Sequence, residues 1–204
     1  PDDTVRVLEL KKGTIHWIQN AVPLDLIPFL AKDPDLRIEI SRGTTYAYLG
    51  MNMTDPILKD PRVREAIAGS IDRERIIREI LNGYARPATG VLAPPHWAYE
   101  GDAAIYEYAP ARARALLDAA GYPPGRARDG KSRFALLFKT SQNETARRVA
   151  EVIQRELRDV GIRMDIRSYE WGTFYADIKS GNFQLYTLTW VGVTDPDIYY
   201  DIFY

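Results

Sequence analysis

Apolar positions along this chain recur with two periods, and the changes between them predict the elements. Alternation at residues 36–40, where Arg37 and Glu39 separate three aliphatic side chains, predicts a strand; so does the spacing of Ile162, Met164 and Ile166. An apolar strand candidate stands at 46–51, arriving at Asn52, a continuous apolar run of strand length at 134–138, and 183–190 reads as the last strand. Helical spacing is clearest at Val149, Ile153, Leu157 and Val160, closed by Gly161, with Ser141 and Glu144 placed as a capping box. Asp60 followed by Pro61 predicts a helix start, and Asp72 caps a second helix with Ile76, Ile77, Ile80 and Leu81 on one face, ended by Asn82-Gly83. Pro110 opens another, with Ala113, Leu116 and Leu117 inward and Gly121 at its end. Residues 22–31 and 171–178 read as further helices, and residues 4–10 fit either a short strand or a helix closed by Gly13. From 133 onward the order strand, helix, strand, helix, strand predicts an α/β layer with parallel or mixed pairing. Residues 84–100, around His96 and Trp97, form a long loop, and loops of this length are commonly functional.

The most informative stretch is 187–197, a buried strand that runs through Trp190 into Val191-Gly192-Val193-Thr194-Asp195-Pro196-Asp197. In parallel or mixed sheets the crevice beyond a strand's carboxyl end is where ligands sit. Trp190 offers a flat apolar wall there, and Gly192 lets a backbone or ligand approach. Trp171, Tyr186, Tyr199 and Tyr200 are further aromatics that could line such a pocket.

Composition narrows the chemistry. Lys and Arg (27) nearly balance Asp and Glu (28), so no overall charge draws the chain to nucleic acid or to an anionic membrane. The absence of cysteine excludes disulfides, thiolate catalysis and cysteine-held zinc or iron–sulfur sites. No run reaches the roughly 18 apolar residues of a membrane-spanning helix. The opening Pro1-Asp2-Asp3 is not a signal peptide, and the apolar terminal run 199–204 is expected of a fragment of a longer protein. Residues 125–132 (GRARDGKS) match the phosphate-loop pattern letter for letter. That mechanism needs a strand before the loop and a helix after it. Here a helix end and Pro123-Pro124 precede and a strand follows, so an exposed glycine-rich turn is expected. His16 and His96 have no partner at metal-ligand spacing, and no nucleophile elbow is present. No catalytic residue, metal ligand or cofactor is assigned.

Taken in order, the blocks carry a resemblance. They are Tyr48-Leu49-Gly50-Met51-Asn52, then Asp60-Pro61-Arg62-Val63-Arg64-Glu65-Ala66-Ile67, then Ile71-Asp72-Arg73-Glu74 and Asn82-Gly83-Tyr84-Ala85. Ala109-Pro110 leads to Leu116-Leu117-Asp118-Ala119-Ala120-Gly121-Tyr122-Pro123, with Ala109 where Asp is usual. Val160-Gly161-Ile162, Tyr169-Glu170-Trp171, Trp190 and Asp195-Pro196-Asp197 complete the series. The chain resembles the extracytoplasmic solute-binding proteins of ABC importers, in the family of dipeptide-, oligopeptide- and nickel-binding proteins.

The resemblance implies a type II periplasmic-binding-protein fold, α/β, with a mixed sheet flanked by helices. Residues 1–44 are then expected to complete a first lobe and 45–204 to form most of a second, truncated at its C-terminal return. It implies a solute, probably a peptide, held between lobes and delivered to a membrane permease outside the cytoplasm, without catalysis. The ligand-binding residues expected on this reading are Trp190, Val191, Gly192, Val193, Asp195 and Trp171. Peptide-binding members carry, three residues after the strand's Trp, an Asp that pairs with the ligand's α-ammonium. That place is Val193 here, and the loop is one residue shorter. Either Asp195 substitutes, or the solute is not a peptide with a free amino terminus, such as an oligosaccharide or metal chelate. A small α/β hydrolase using His16 or His96, and a receptor sensory module built on the same lobe, are the alternatives.

Overall fold

The computed structural model describes residues 3–20, 22–103 and 105–203. Pro1, Asp2 and Tyr204, which bound the terminal segments read above, lie outside the described residues. Helix α1 spans Asp3–Lys11, resolving the open choice at 4–10 in favour of a helix, with Gly13 at φ 75° just beyond it. Arg6 pairs with Asp3, Lys12 with Glu9 and Lys11 with Asp33. The stretch 22–31 is helical only over α2, Ile27–Leu30, preceded by a turn. Pro28 is the reason: it has no N–H, and its ring clashes with the carbonyl four residues back, so the helix cannot extend toward Val22. Residues 36–40 are not a strand. Leu36 and Ile38 are half-buried and alternate with exposed Arg37 and Glu39, but no described strand pairs with them, and a strand is held by its ladder.

Four strands form one sheet in the order β1-β4-β2-β3: β1 (Tyr46–Met51), β2 (Phe134–Ser141), β3 (Ile162–Tyr169) and β4 (Leu185–Trp190). β2 is parallel to both β3 and β4, whereas β1 is antiparallel to β4, so the sheet is mixed. β2 runs three residues beyond the apolar run that predicts it. Its end is polar, but Lys139 is buried against Asp177 at 2.6 Å and Thr140 is fully buried, so Lys-Thr-Ser stays in the ladder opposite Arg167-Ser168-Tyr169. This also displaces the expected capping box. Ser141 is still strand, and the N-cap of α6 (Glu144–Asp159) is Asn143, whose side chain accepts from Ala146 N–H at 2.9 Å.

The core follows from strand alternation. Phe134, Leu136 and Phe138 point to one face, with Ile162, Met164 and Leu185 beside them in register. Against this face pack α6 through Ala150, Ile153 and Leu157, α3 (Pro61–Gly69) through Val63, Ala66 and Ile67, and α5 (Pro110–Ala119) through Ala113 and Leu117. Asp60 caps α3 by accepting from Arg62 N–H, with Pro61 in the first turn. α4 (Arg73–Glu79) begins at Asp72 and ends before Asn82 (φ 50°) and Gly83 (φ 79°). The opposite face carries Lys139 and Tyr186, and α7 (Trp171–Lys179) covers part of it through fully buried Phe174 and the Lys139–Asp177 pair. α8 spans Ile198–Phe203. No helix of the described residues is long and apolar enough to cross a membrane.

Candidate ligand cleft at the carboxyl edge of the sheet

Because β2, β3 and β4 are mutually parallel, their carboxyl ends leave the sheet along one edge. The chain goes from β2 through α6 to β3 on one side, then back through α7 to β4 on the other side of β2. The two crossovers use opposite faces, as right-handed connections must when the direction reverses. Ligands in open α/β sheets bind beyond the carboxyl ends of the strands at such a reversal. The segments that leave here are 141–143, 169–171 and 190–197.

Trp190 ends β4 directly opposite Tyr46 of β1. It packs in a small cluster whose buried members are Val91, Leu92 and Val193, with Tyr46, Ala98 and Ile198 around them. Its indole Nε1 is buried, with no hydrogen-bond partner among the described residues. Val193 is 5% exposed: its side chain faces this cluster, not the surface. Val191 is 74% exposed beside it, and Gly192 takes φ 70°, which turns the chain sharply between an outward and an inward valine. Asp195 is exposed and held in an Asx turn, Oδ1 accepting from Asp197 N–H at 3.0 Å. That turn leaves Oδ2 for another partner.

Trp171 sits at the start of α7, exposed and stacked on Tyr175 at 5.7 Å and 9°. Glu170 caps this helix through Gly172 and Thr173 N–H. The structure therefore brings Trp190, Val191, Gly192, Val193 and Asp195 onto one continuous segment, while Trp171 stands on a neighbouring one with its own aromatic partner.

Two further contributors stand here, and only the first escaped the sequence reading. Tyr46 and Tyr48 stack at 5.7 Å on the face that carries Trp190 and Tyr186, and the Tyr48 and Tyr186 hydroxyls lie 3.3 Å apart. Burial, reinforced by the neighbouring tyrosines, pushes the Tyr46 phenol up from its usual range; burial and the Tyr48 hydrogen bond do the same to Tyr186. Both therefore stay neutral hydroxyls at ordinary pH. The alternation Tyr46-Ala47-Tyr48 carried the signal that both rings share a face. The second contributor is the 84–100 loop, which folds over residues 190–197 through Val91 and Leu92 and through His96, whose Nε2 lies 3.0 Å from the Thr194 carbonyl. Only its length marked it in the sequence.

Two other features compete for attention. A shallow hollow of about 780 Å³ lies between α2 and α4, lined by Asp25, Pro28, Glu74, Ile77, Arg78 and Asn82. None of its lining residues belongs to a strand or to a segment leaving the carboxyl edge, so the sheet edge is the better candidate on geometry. The GRARDGKS segment is a turn, with Gly125 and Gly130 at positive φ. Asp129 accepts from Lys131 N–H at 2.9 Å and Ser132 N–H at 2.8 Å, and these bonds hold its carboxyl down at about 2. The amides that a phosphate would need are already occupied by a carboxylate of the same turn. Among the described residues no group of three or more His, Asp or Glu side chains could hold a metal ion.

A mixed sheet with helices on both faces and an open carboxyl edge is the architecture of one lobe of a type II periplasmic binding protein, and the comparisons agree. The chain belongs to the family described as bacterial extracellular solute-binding proteins, family 5 Middle, which matches residues 1–204. It is 31% identical over 201 residues to the dipeptide-binding protein of Escherichia coli, covering 98% of this chain and 37% of that one. Among solved structures it superposes on the periplasmic binding protein DppA of Helicobacter pylori, in complex with the peptide STSA, with TM-score 0.82 and 28% identity. That match covers 97% of this chain and 37% of the other. It is also similar to NikA of Brucella suis, in complex with Fe(III)-EDTA, with TM-score 0.84 and 25% identity over 98% of this chain and 42% of that one. The chain thus spans little more than a third of the length of such relatives.

Proposed function

We propose that this chain supplies the sheet edge of a solute-binding lobe, and that a peptide-sized solute is held there and delivered to an ABC-importer permease without chemical change. The observation that supports it most is the shared carboxyl edge of β2, β3 and β4 at the sheet's reversal, with the segment from Trp190 to Asp195 leaving it. On this reading residues 1–44 complete a first lobe, 45–204 form most of a second, and the protein works outside the cytoplasm. Trp190, Val191, Gly192 and Asp195 line the ligand side, Trp171 adds a wall, and Val193 supports from behind.

The relatives span peptide binders and an Fe(III)-EDTA complex. One observation favours a second reading, a non-peptide solute: a buried valine stands where the resemblance places the ammonium-pairing Asp. Asp195 is the one carboxylate of segment 190–195, and its free oxygen is what a peptide ammonium would require.

The test is the thermal midpoint of the full-length protein against Met-Leu, longer peptides, oligosaccharides and nickel–histidine. A ligand that binds only the folded state raises the midpoint by mass action, worth about 2.7 kcal/mol at a hundred times its dissociation constant. Stabilisation by peptides that Asp195→Asn abolishes supports the first reading. Stabilisation by non-peptide solutes alone supports the second. No shift with any of them removes the edge as a solute site.

A further inference from the structure

The 84–100 loop contains no helix or strand, yet one side chain ties it to the ligand segment in a single protonation state. Backbone Ala98 N–H donates to His96 Nδ1 at 3.0 Å. His96 Nε2 lies 3.0 Å from the carbonyl oxygen of Thr194, 98 residues away in sequence. An amide N–H can only donate and a carbonyl oxygen can only accept. The two contacts together therefore require a neutral imidazole with its proton on Nε2. The other neutral tautomer breaks both bonds, and the imidazolium would face the Ala98 N–H with a second donor. The Trp97 ring lies 5.5 Å from the imidazole. Thr194 stands between inward Val193 and exposed Asp195, so the bond holds the backbone at the point where the chain passes from core to cleft.

We propose that His96, as the Nε2–H tautomer, is a positioning residue that latches residues 191–197 in the conformation presented to solute. The claim about solute rests on the binding reading above; the latch itself does not.

The experiment compares His96→Ala, His96→Asn and His96→Gln with the wild type in the full-length protein, by amide exchange at Asp197 and Tyr199. Those amides are bonded to Asp195 Oδ1 at 3.0 Å and to the Pro196 carbonyl at 3.0 Å. Asn places an acceptor where Nδ1 is but cannot reach Thr194, and Gln places a donor where Nε2 is. Loss of one hydrogen bond predicts exchange roughly three- to tenfold faster in His96→Ala and His96→Asn, with His96→Gln near wild type. Imidazole nitrogen NMR should find the proton on Nε2 at pH 7.5. Wild-type protection in His96→Asn or a proton on Nδ1 overturns the latch. Met-Leu and nickel–histidine affinities separate the two readings. Faster exchange with unchanged affinity for a probe that binds leaves the latch and removes segment 191–197 from the solute site. Unchanged exchange with intact binding does the reverse.

Discussion

The two apolar clusters of this lobe differ in size and in what they hold. The large one joins one face of the sheet to α3, α5 and α6, with seventeen buried members. The small one lies on the opposite face at the carboxyl edge and has three, Val91, Leu92 and Val193. The large cluster is built mostly from residues inside helices and strands, with Leu58, Ile71 and Val160 just outside them, so most of its backbone groups are satisfied by the elements themselves. The small one joins two segments without regular structure. The difference teaches where stability and adaptability lie: regions with few buried apolar contacts open at lower free energy than the global fold. A candidate ligand edge mounted on the small cluster can rearrange while the sheet beneath it stays fixed.

The largest effect that tests this contrast is in the large core. Leu157 is fully buried where α6 meets the sheet. Leu157→Ala should cost about 3 kcal/mol in urea unfolding by the lost transfer and cavity terms. A cost below about 1 kcal/mol would mean that this cluster does not carry the fold. Next is Val193→Asp, which restores the carboxylate of the peptide-binding pattern at a position turned inward. Burying it without a partner should cost about 2 kcal/mol at pH 8. The introduced carboxyl would have its pKa raised by burial, so the loss should shrink as pH falls through that value. Unchanged stability at pH 8 with a gain in peptide affinity would place residue 193 at the surface and erase the distinction between the two clusters.

A smaller effect probes the aromatic face between the clusters. A Cβ on Gly50 would lie 2.1 Å from Tyr186 Cε1, so the glycine is there for the ring that crosses it. Tyr186 also packs edge-on to Phe183 and to Tyr48. Gly50→Ala must displace that ring, at about 1–2 kcal/mol in the same unfolding assay. A neutral outcome would show that the tyrosines move freely and do not fix Trp190's face.

These contrasts explain what could be read from the chain alone. Elements of the large core were legible because each carries its own local signal. Asp60-Pro61 starts α3, the 149–160 spacing defines α6, and β3 alternates. Where the sequence misled, a distant partner decided. Residues 36–40 alternate correctly but have no ladder among the described residues. Lys139-Thr140-Ser141 looks like a loop but is kept in β2 by Asp177, 38 residues away. The candidate edge was legible as a place, the segment after Trp190, because a strand running into Gly, Asp and Pro implies that the chain leaves the sheet there. Its side-chain directions were not. Whether Val193 faces solute depends on Val91 and Leu92, and no spacing in the sequence joins residue 91 to residue 193.

The last and smallest effect concerns the polar weak point of the large core. Glu156 is 3% exposed, with Oε2 accepting from Asp72 N–H at 3.1 Å and Oε1 buried without a partner among the described residues. Burial, more than the nearby Asp72 and Asp159, raises its pKa above the ordinary 4.5, against the opposing pull of the Asp72 N–H and Arg75. In the pH window from 4.5 up to that raised value, the folded state therefore binds more protons than the unfolded chain. Stability must fall as pH rises through this window and level off above it. Glu156→Gln keeps a neutral acceptor for Asp72 at every pH and removes that slope. The difference in unfolding free energy between Glu156→Gln and wild type should thus shift in the variant's favour from about pH 4.5 upward. Parallel curves between pH 4 and 7 would mean that water reaches Glu156. The large cluster would then share the looseness assigned here to the small one.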